Sequence, residues 1–218
     1  MKTKHAKTIL INVFLLLNFC LFNAKLFAVQ TKPTFCVLGV KNNLKNEKWK
    51  DLGIGFGICD LITQELYNSK MFTHIETNED IKEQIKKSRI IFWKYGNRKT
   101  ENKEKKDPFK ADIIFWGEIT SFTVKKRKSF IGFASKYKTT VKVKITLHMI
   151  DKKNNIKLSS SAYGTAQKGA KAIFFEINNN KKLDFNSSMA GIATKQAVKK
   201  ALQKILNRYK KIIKGGTQ

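Results

Sequence analysis

The side chains able to do chemistry are few and scattered. Histidine occurs at His5, His74 and His148 and cysteine at Cys20, Cys36 and Cys59, with no C-x-x-C pair and no cluster at metal-ligand spacing, so no metal site is expected. Glu65, Asp112, Glu118 and Glu176 are isolated carboxylates with no partner spacing for general acid–base work, and no nucleophile is matched to a histidine in a recognisable motif. Gly53-Ile54-Gly55-Phe56-Gly57 opens a helical pattern, as a phosphate-cradling loop would. However, Ile58 stands where the dinucleotide fingerprint needs its third glycine, and there is no Gly-Lys-Ser/Thr. Close packing of the helix on a sheet accounts better for those glycines. The chain is expected to be neither an enzyme nor a cofactor binder.

Charge is the stronger signal. The 218 residues carry a net charge of +28, and residues 113–218 hold 23 of the cations against four carboxylates. They include the run Lys125-Lys126-Arg127-Lys128 and the alternating Lys142 and Lys144, which are candidate contacts for acidic polymers or anionic lipid headgroups. Only four of the 44 cations are Arg, a bias that resembles an AT-rich genome more than a surface selected to fork onto phosphates. With 42% apolar residues and two prolines, the composition suits one folded domain plus a short appendage and excludes disorder and collagen-like structure.

The appendage is the N-terminus. Lys2, Lys4 and Lys7 precede an apolar run from Ile9 to Phe22, interrupted by Asn12 and Asn18, and small residues follow. That is the layout of a secretory signal peptide, here residues 1–28, with cleavage after Ala28 favoured over Ala24. The run is short of the roughly 20 residues of a spanning helix. Cys20 would be the modified residue of a lipoprotein, but bulky Phe19 precedes it, which favours an ordinary apolar-core cysteine. In an oxidising compartment Cys36 and Cys59 could pair, yet one falls in a strand pattern and the other on the inner side of a helix pattern, which favours two buried thiols.

The elements follow from periodicity. Phe35 to Val40 is a strand-length apolar run, and Leu52, Phe56, Cys59, Ile62 or Thr63, and Leu66 form a helical stripe. A second strand is expected over 71–76, a short helix over 78–88 and a solvated loop over 97–110. The period then changes to two. Residues 111–124 read as a strand, and Val141, Val143, Ile145, Leu147 and Met149 alternate with Lys142, Lys144, Thr146 and His148, so one side of that strand is wet. Residues 151–155 make a turn, 156–163 return as the partner strand, and a small hairpin is expected around the Asn-rich turn at 178–181. The last helix, capped by Asn186, Ser187 or Ser188, places Met189, Ile192, Ala193, Gln196, Ala197, Ala201, Leu202, Ile205, Tyr209 and Ile212 on one face and ends at Gly215-Gly216. The expected class is α/β or α+β: a mixed sheet of about five strands covered by helices, with a βαβα start, an antiparallel meander and a long C-terminal helix.

Several of these stretches resemble the curli-production assembly/transport (CsgG-type) family in order: Phe35 to Val40, Trp49 to Gly55, Leu61 to Leu66, Lys70 to Glu76, Ala111-Asp112-Ile113-Ile114-Phe115-Trp116-Gly117-Glu118-Ile119, Val143 to Leu158 and Asp184 to Leu206. The resemblance spans nearly all of residues 29–218. It implies a periplasmic domain that forms a homo-oligomer at the outer membrane, with strands lent to a shared β-barrel through which unfolded protein subunits leave the cell. Residues 121–138 and 159–187 would be the membrane hairpins, with Phe130, Ile131, Phe133, Ile173, Phe174 and Phe175 facing lipid. The cation run would have to lie at a turn or in water, because a Lys or Arg aimed at lipid costs roughly 2–4 kcal/mol near the midplane. By the same resemblance the loop from Lys41 to Trp49 would narrow the pore, with Trp49 as its candidate constriction residue. Otherwise Trp49 staples the helix start. Two other readings stand beside it: a non-pore periplasmic accessory protein of the same fold, of the cell-wall-synthesis activator or flagellar type, and a basic polyanion-binding protein. Export argues against nucleic acid as the partner.

Overall fold

The computed structural model describes residues 32–46, 49–75, 79–95, 110–131, 134–168 and 185–215. The leader, the loop at 96–109 and the expected small hairpin around 178–181 lie outside them. Eight elements follow in the order β1 (Thr34–Asn42), α1 (Leu52–Asn68), β2 (Thr73–His74), α2 (Glu79–Tyr95), β3 (Ile113–Ile131), β4 (Ala134–Asp151), β5 (Ile156–Lys168) and α3 (Met189–Gly215). The fold is α+β. Its five-stranded sheet has the order β2-β1-β3-β4-β5; β1 pairs in parallel with β2 and β3, and the later pairs are antiparallel.

Helices α1 and α3 cover one face, where Phe35, Val37, Phe115, Ile119, Val143, Ile145 and Met149 meet Ile54, Ile58, Ile62, Ala193, Ala197 and Ile205 in the main core. Helix α2 lies over β1 on the other face, closing a small second cluster of Cys36, Ile75, Ile85 and Ala111. Beyond it the face of β3, β4 and β5 carries no helix among the described residues.

Local chemistry sets the element ends. Asp51 caps α1 by accepting from the Gly53 amide at 2.7 Å, and Ser188, of the three expected candidates, caps α3 by accepting from the Gly191 amide at 3.0 Å. The 151–155 turn is held by Asp151, which accepts from the Asn154 amide at 3.0 Å and from its side chain at 2.7 Å, while Asn155 takes φ 51°. Helix α3 reaches the sheet closely because small residues face it. A Cβ on Gly164 of β5 would run into the Ala193 carbonyl and come within 2.7 Å of the Ala197 amide.

Several boundaries differ from the periodicity. Helix α2 runs seven residues past Ser88, to Tyr95. Phe92 packs where Gly39 leaves room, and the Trp93 indole lies against Gly55, where a Cβ would come within 2.5 Å of the ring. Gly55 therefore serves packing of helix on helix, not the helix–sheet contact expected. Helix α1 buries Ile54, Ile58, Leu61 and Ile62 more fully than Leu52 or Phe56, being covered by α2 and α3 as well as the sheet. Ile212 is 44% exposed. Cys36 and Cys59 are free and buried, and burial, only partly opposed by Arg89, pushes the Cys59 thiol up to about 12.

Candidate functional site: the open sheet face and the projecting hairpin

β3 and β4 are much longer than the sequence pattern implied. Their ladder runs from Ile113 opposite Asp151 to Ile131 opposite Ala134, with one irregularity between Ile119 and Ser121. β5 follows β4 only as far as Thr139, opposite Lys168. Past that point the two strands continue as a two-stranded ribbon, so 121–138 is an outgrowth of two core strands and not a separate insertion. The other expected insertion, 159–187, is corrected more strongly. Its residues 159–168 belong to β5, paired in the sheet with Gly164 under α3, and 169–184 lie outside the described residues.

The register also places the Lys125–Lys128 run within the last third of β3 rather than at a turn, with all four side chains exposed. Side chains alternate across a strand, so the run is divided. Lys125 and Arg127 share the helix-free face with Lys138, Lys142 and Lys144 of β4, since Thr123 is opposite Lys142 and Arg127 is opposite Lys138. Lys126 and Lys128 point to the other face with Phe122, Val124, Phe130 and Tyr137. There Lys128 Nζ sits 4.7 Å from the Phe130 ring and 5.3 Å from that of Tyr137. Phe130 is 69% exposed. The side chains of Ile131, Phe133, Ile173, Phe174 and Phe175 lie outside the described residues.

Along the helix-free face, Tyr163 of β5 lies beneath two of the cations, with Lys142 Nζ at 4.0 Å and Lys144 Nζ at 5.5 Å from its ring. Further down, Trp116 stacks on His148 at 5.0 Å between centroids and 11° between planes. Burial lowers the His148 pKa, partly opposed by Glu118, and Glu118 accepts from the Asn43 side chain at 2.9 Å. Thr146 and Ser161 share a 2.7 Å hydrogen bond between them.

Trp49 is not on a solvent-facing loop. It is fully buried in the main core, 5.2 Å from the Phe122 ring, with its carbonyl accepting from Asn42 Nδ2 at 2.7 Å. An indole shut into its own subunit cannot narrow a passage, so Trp49 anchors the chain just before the α1 cap. The carboxylates have structural partners. Asp112 accepts from the amide and hydroxyl of Thr34, both at 2.7 Å, which hold its carboxyl below the usual value; Glu65 meets Lys199 of α3 at 3.1 Å. Glu176 lies outside the described residues. Among the described residues no group of three or more His, Cys, Asp or Glu is placed to hold a metal ion.

Lys138 and the Trp116–His148 stack escaped the sequence reading. The signal for both is cross-strand register, which a single sequence does not display.

No family model matches the chain, and no curated protein matches it. Among solved structures it is similar to lipoprotein GNA1162 from Neisseria meningitidis, at 12% identity and TM-score 0.38 over 63% of this chain and 84% of that one. It is also similar to the hypothetical protein CT253 from Chlamydia trachomatis, at 10% identity and TM-score 0.43 over 80% and 96%. The PelC dodecamer from Paraburkholderia phytofirmans gives 13% identity and TM-score 0.37 over 79% and 86%.

Proposed function

We propose that this chain is an exported envelope protein whose copies associate through the projecting β3–β4 hairpin. Export is supported by the leader-like N-terminus, and the envelope assignment by the order of stretches that resemble the curli-transport family. The hairpin itself carries the association. Residues 123–130 are exposed on both faces within their own subunit, and an isolated two-stranded ribbon is marginal in water. A neighbouring copy supplies the surface that such a ribbon needs, and the exposed Val124, Phe130 and Tyr137 side chains are the apolar part of the contact.

Within that reading a non-pore assembly fits better than a secretion barrel. Residues 121–131 have the roughly 9–11 residues of a spanning strand. Alternation nonetheless puts Lys125 and Arg127 on one face and Lys126 and Lys128 on the other, so whichever face met lipid would carry two cations, at roughly 2–4 kcal/mol each near the midplane. Trp49, being buried, offers no constriction.

The test compares the size of the detergent-extracted protein by light scattering and electron microscopy with that of a variant in which residues 127–138 are replaced by Asn-Gly, joining the paired Lys126 and Thr139. The reading expects a closed oligomer for the natural chain and a folded monomer for the trimmed one. A monomeric natural chain, or an oligomer that survives trimming, overturns it. Stepwise ion conductance in planar bilayers overturns the non-pore form in favour of the channel.

A further inference from the structure

We propose that the helix-free face of β3, β4 and β5 binds a linear acidic polysaccharide, a chain of sugars bearing recurrent carboxylates. This goes beyond the assembly role and does not depend on it.

Five cations form the surface: Lys125 and Arg127 from β3, and Lys138, Lys142 and Lys144 from β4. None of them is in an ion pair among the described residues. Successive same-face residues on a strand are roughly 7 Å apart, so from Lys138 to Lys144 the strip is about 20 Å long and only two strands wide. Its one carboxylate neighbour on this face of the three strands, among the described residues, is Glu118, which Asn43 already engages.

The strip works against its own fold. Arg127 is directly opposite Lys138, and like charges at such a position destabilise a ladder. An external row of anions would offset that repulsion, and a flexible acidic chain matches a narrow strip in shape. Thr123, Thr140 and Thr165 stand between the cations on the same face, offering hydroxyls to a hydroxyl-rich polymer.

The same observations disfavour two other polyanions. Single-stranded nucleic acid binds by stacking bases on free aromatic faces, but here Lys142 covers the Tyr163 ring and His148 covers Trp116. An anionic bilayer would be met by the opposite face of the hairpin, where exposed Phe130 and Tyr137 accompany Lys126 and Lys128.

The experiment is calorimetric titration of the full chain with sodium polygalacturonate at moderate salt. One variant replaces Lys125, Arg127, Lys138, Lys142 and Lys144 with Gln. A charge-matched control replaces Lys126, Lys128, Lys200, Lys210 and Lys211 with Gln, and both are checked for folding by circular dichroism. Five exposed ion pairs at the low end of their usual strength amount to a loss of about fivefold or more for the first variant, and the control is expected to bind within about twofold of the natural chain. Equal losses in the two variants would mean that net charge alone is responsible, and would overturn the proposal. So would tighter binding, dependent on the same five residues, to a single-stranded oligonucleotide or to phosphatidylserine vesicles.

Discussion

Replacing Tyr209 with Phe removes one hydroxyl from the point where α3 is fastened to the sheet. Tyr209 Oη donates to Asp151 Oδ2 at 2.7 Å, and the two residues are 5% and 1% exposed. The phenylalanine ring keeps the contact with Phe72, whose centroid is 5.8 Å away, so the substitution isolates the hydrogen bond from the packing. A bond to a charged acceptor is worth about 1.5–3 kcal/mol. Asn154 still donates twice to the carboxylate, which places the loss near the middle of that range, about 2 kcal/mol. For a domain of this size the Tm should fall by about 4–8 °C. The pH dependence adds a second readout. Burial alone would raise the Asp151 pKa, but hydrogen bonds from Asn154 and Tyr209 outweigh it and hold the carboxyl below its ordinary value. A depressed folded value means that this stabilisation is complete above the unfolded pKa of about 3.9 and is lost as the pH falls through the folded one. Without the Tyr209 hydroxyl the folded value moves back up, so the variant should begin acid unfolding at a higher pH than the natural chain. Thermal unfolding followed by circular dichroism at a series of pH values from 7 to 2 reads both effects. A Tm and an acid midpoint indistinguishable from those of the natural chain would refute the view that this bond fastens α3.

Two further perturbations follow from close packing. Gly164→Ala forces a Cβ into the Ala193 carbonyl, where α3 cannot yield without lifting off β5. Overpacking of this kind costs about 1–3 kcal/mol, and an unchanged urea midpoint would contradict the close approach. Cys36 and Cys59 should remain unmodified by iodoacetamide at pH 8 in the native chain and react fully in denaturant, because burial holds the Cys59 thiol at about 12. Mass spectrometry of peptides from the natively treated protein reads this, and carboxamidomethyl at either residue would show that the pocket opens.

Elements whose apolar residues face a single surface were the legible ones. β4 alternates without a fault from Val141 to Met149 because one side packs on α3 and the other meets water, and the long α3 announces itself by alanines and leucines at helical spacing. Where two surfaces compete for an element, periodicity misleads. α1 is covered from three sides, so Leu52 and Phe56 suggested the wrong centre for its stripe. α2 extends beyond the expected 78–88 because Arg89, partly buried, ties it to Asp60 of α1 at 2.9 Å, and Phe92 and Trp93 pack beyond that tie.

The hairpin shows a different limit. A run of four cations reads as a turn when each residue is judged by its preference for water, and in β3 every one of them does have water. What a single strand cannot reveal is its partner. Only the pairing of Arg127 with Lys138 and of Thr123 with Lys142 sorts the run into a five-cation strip on one face and a mixed aromatic and basic face on the other. A repulsive cross-strand pair in a ribbon with little core of its own is unfavourable in an isolated subunit. The two faces therefore have separate occupants to answer for: a neighbouring copy against Phe130 and Tyr137, and an acidic chain along Lys125, Arg127, Lys138, Lys142 and Lys144. Trimming 127–138 should abolish the first contact and only weaken the second, since Lys125, Lys142 and Lys144 remain on a three-stranded sheet.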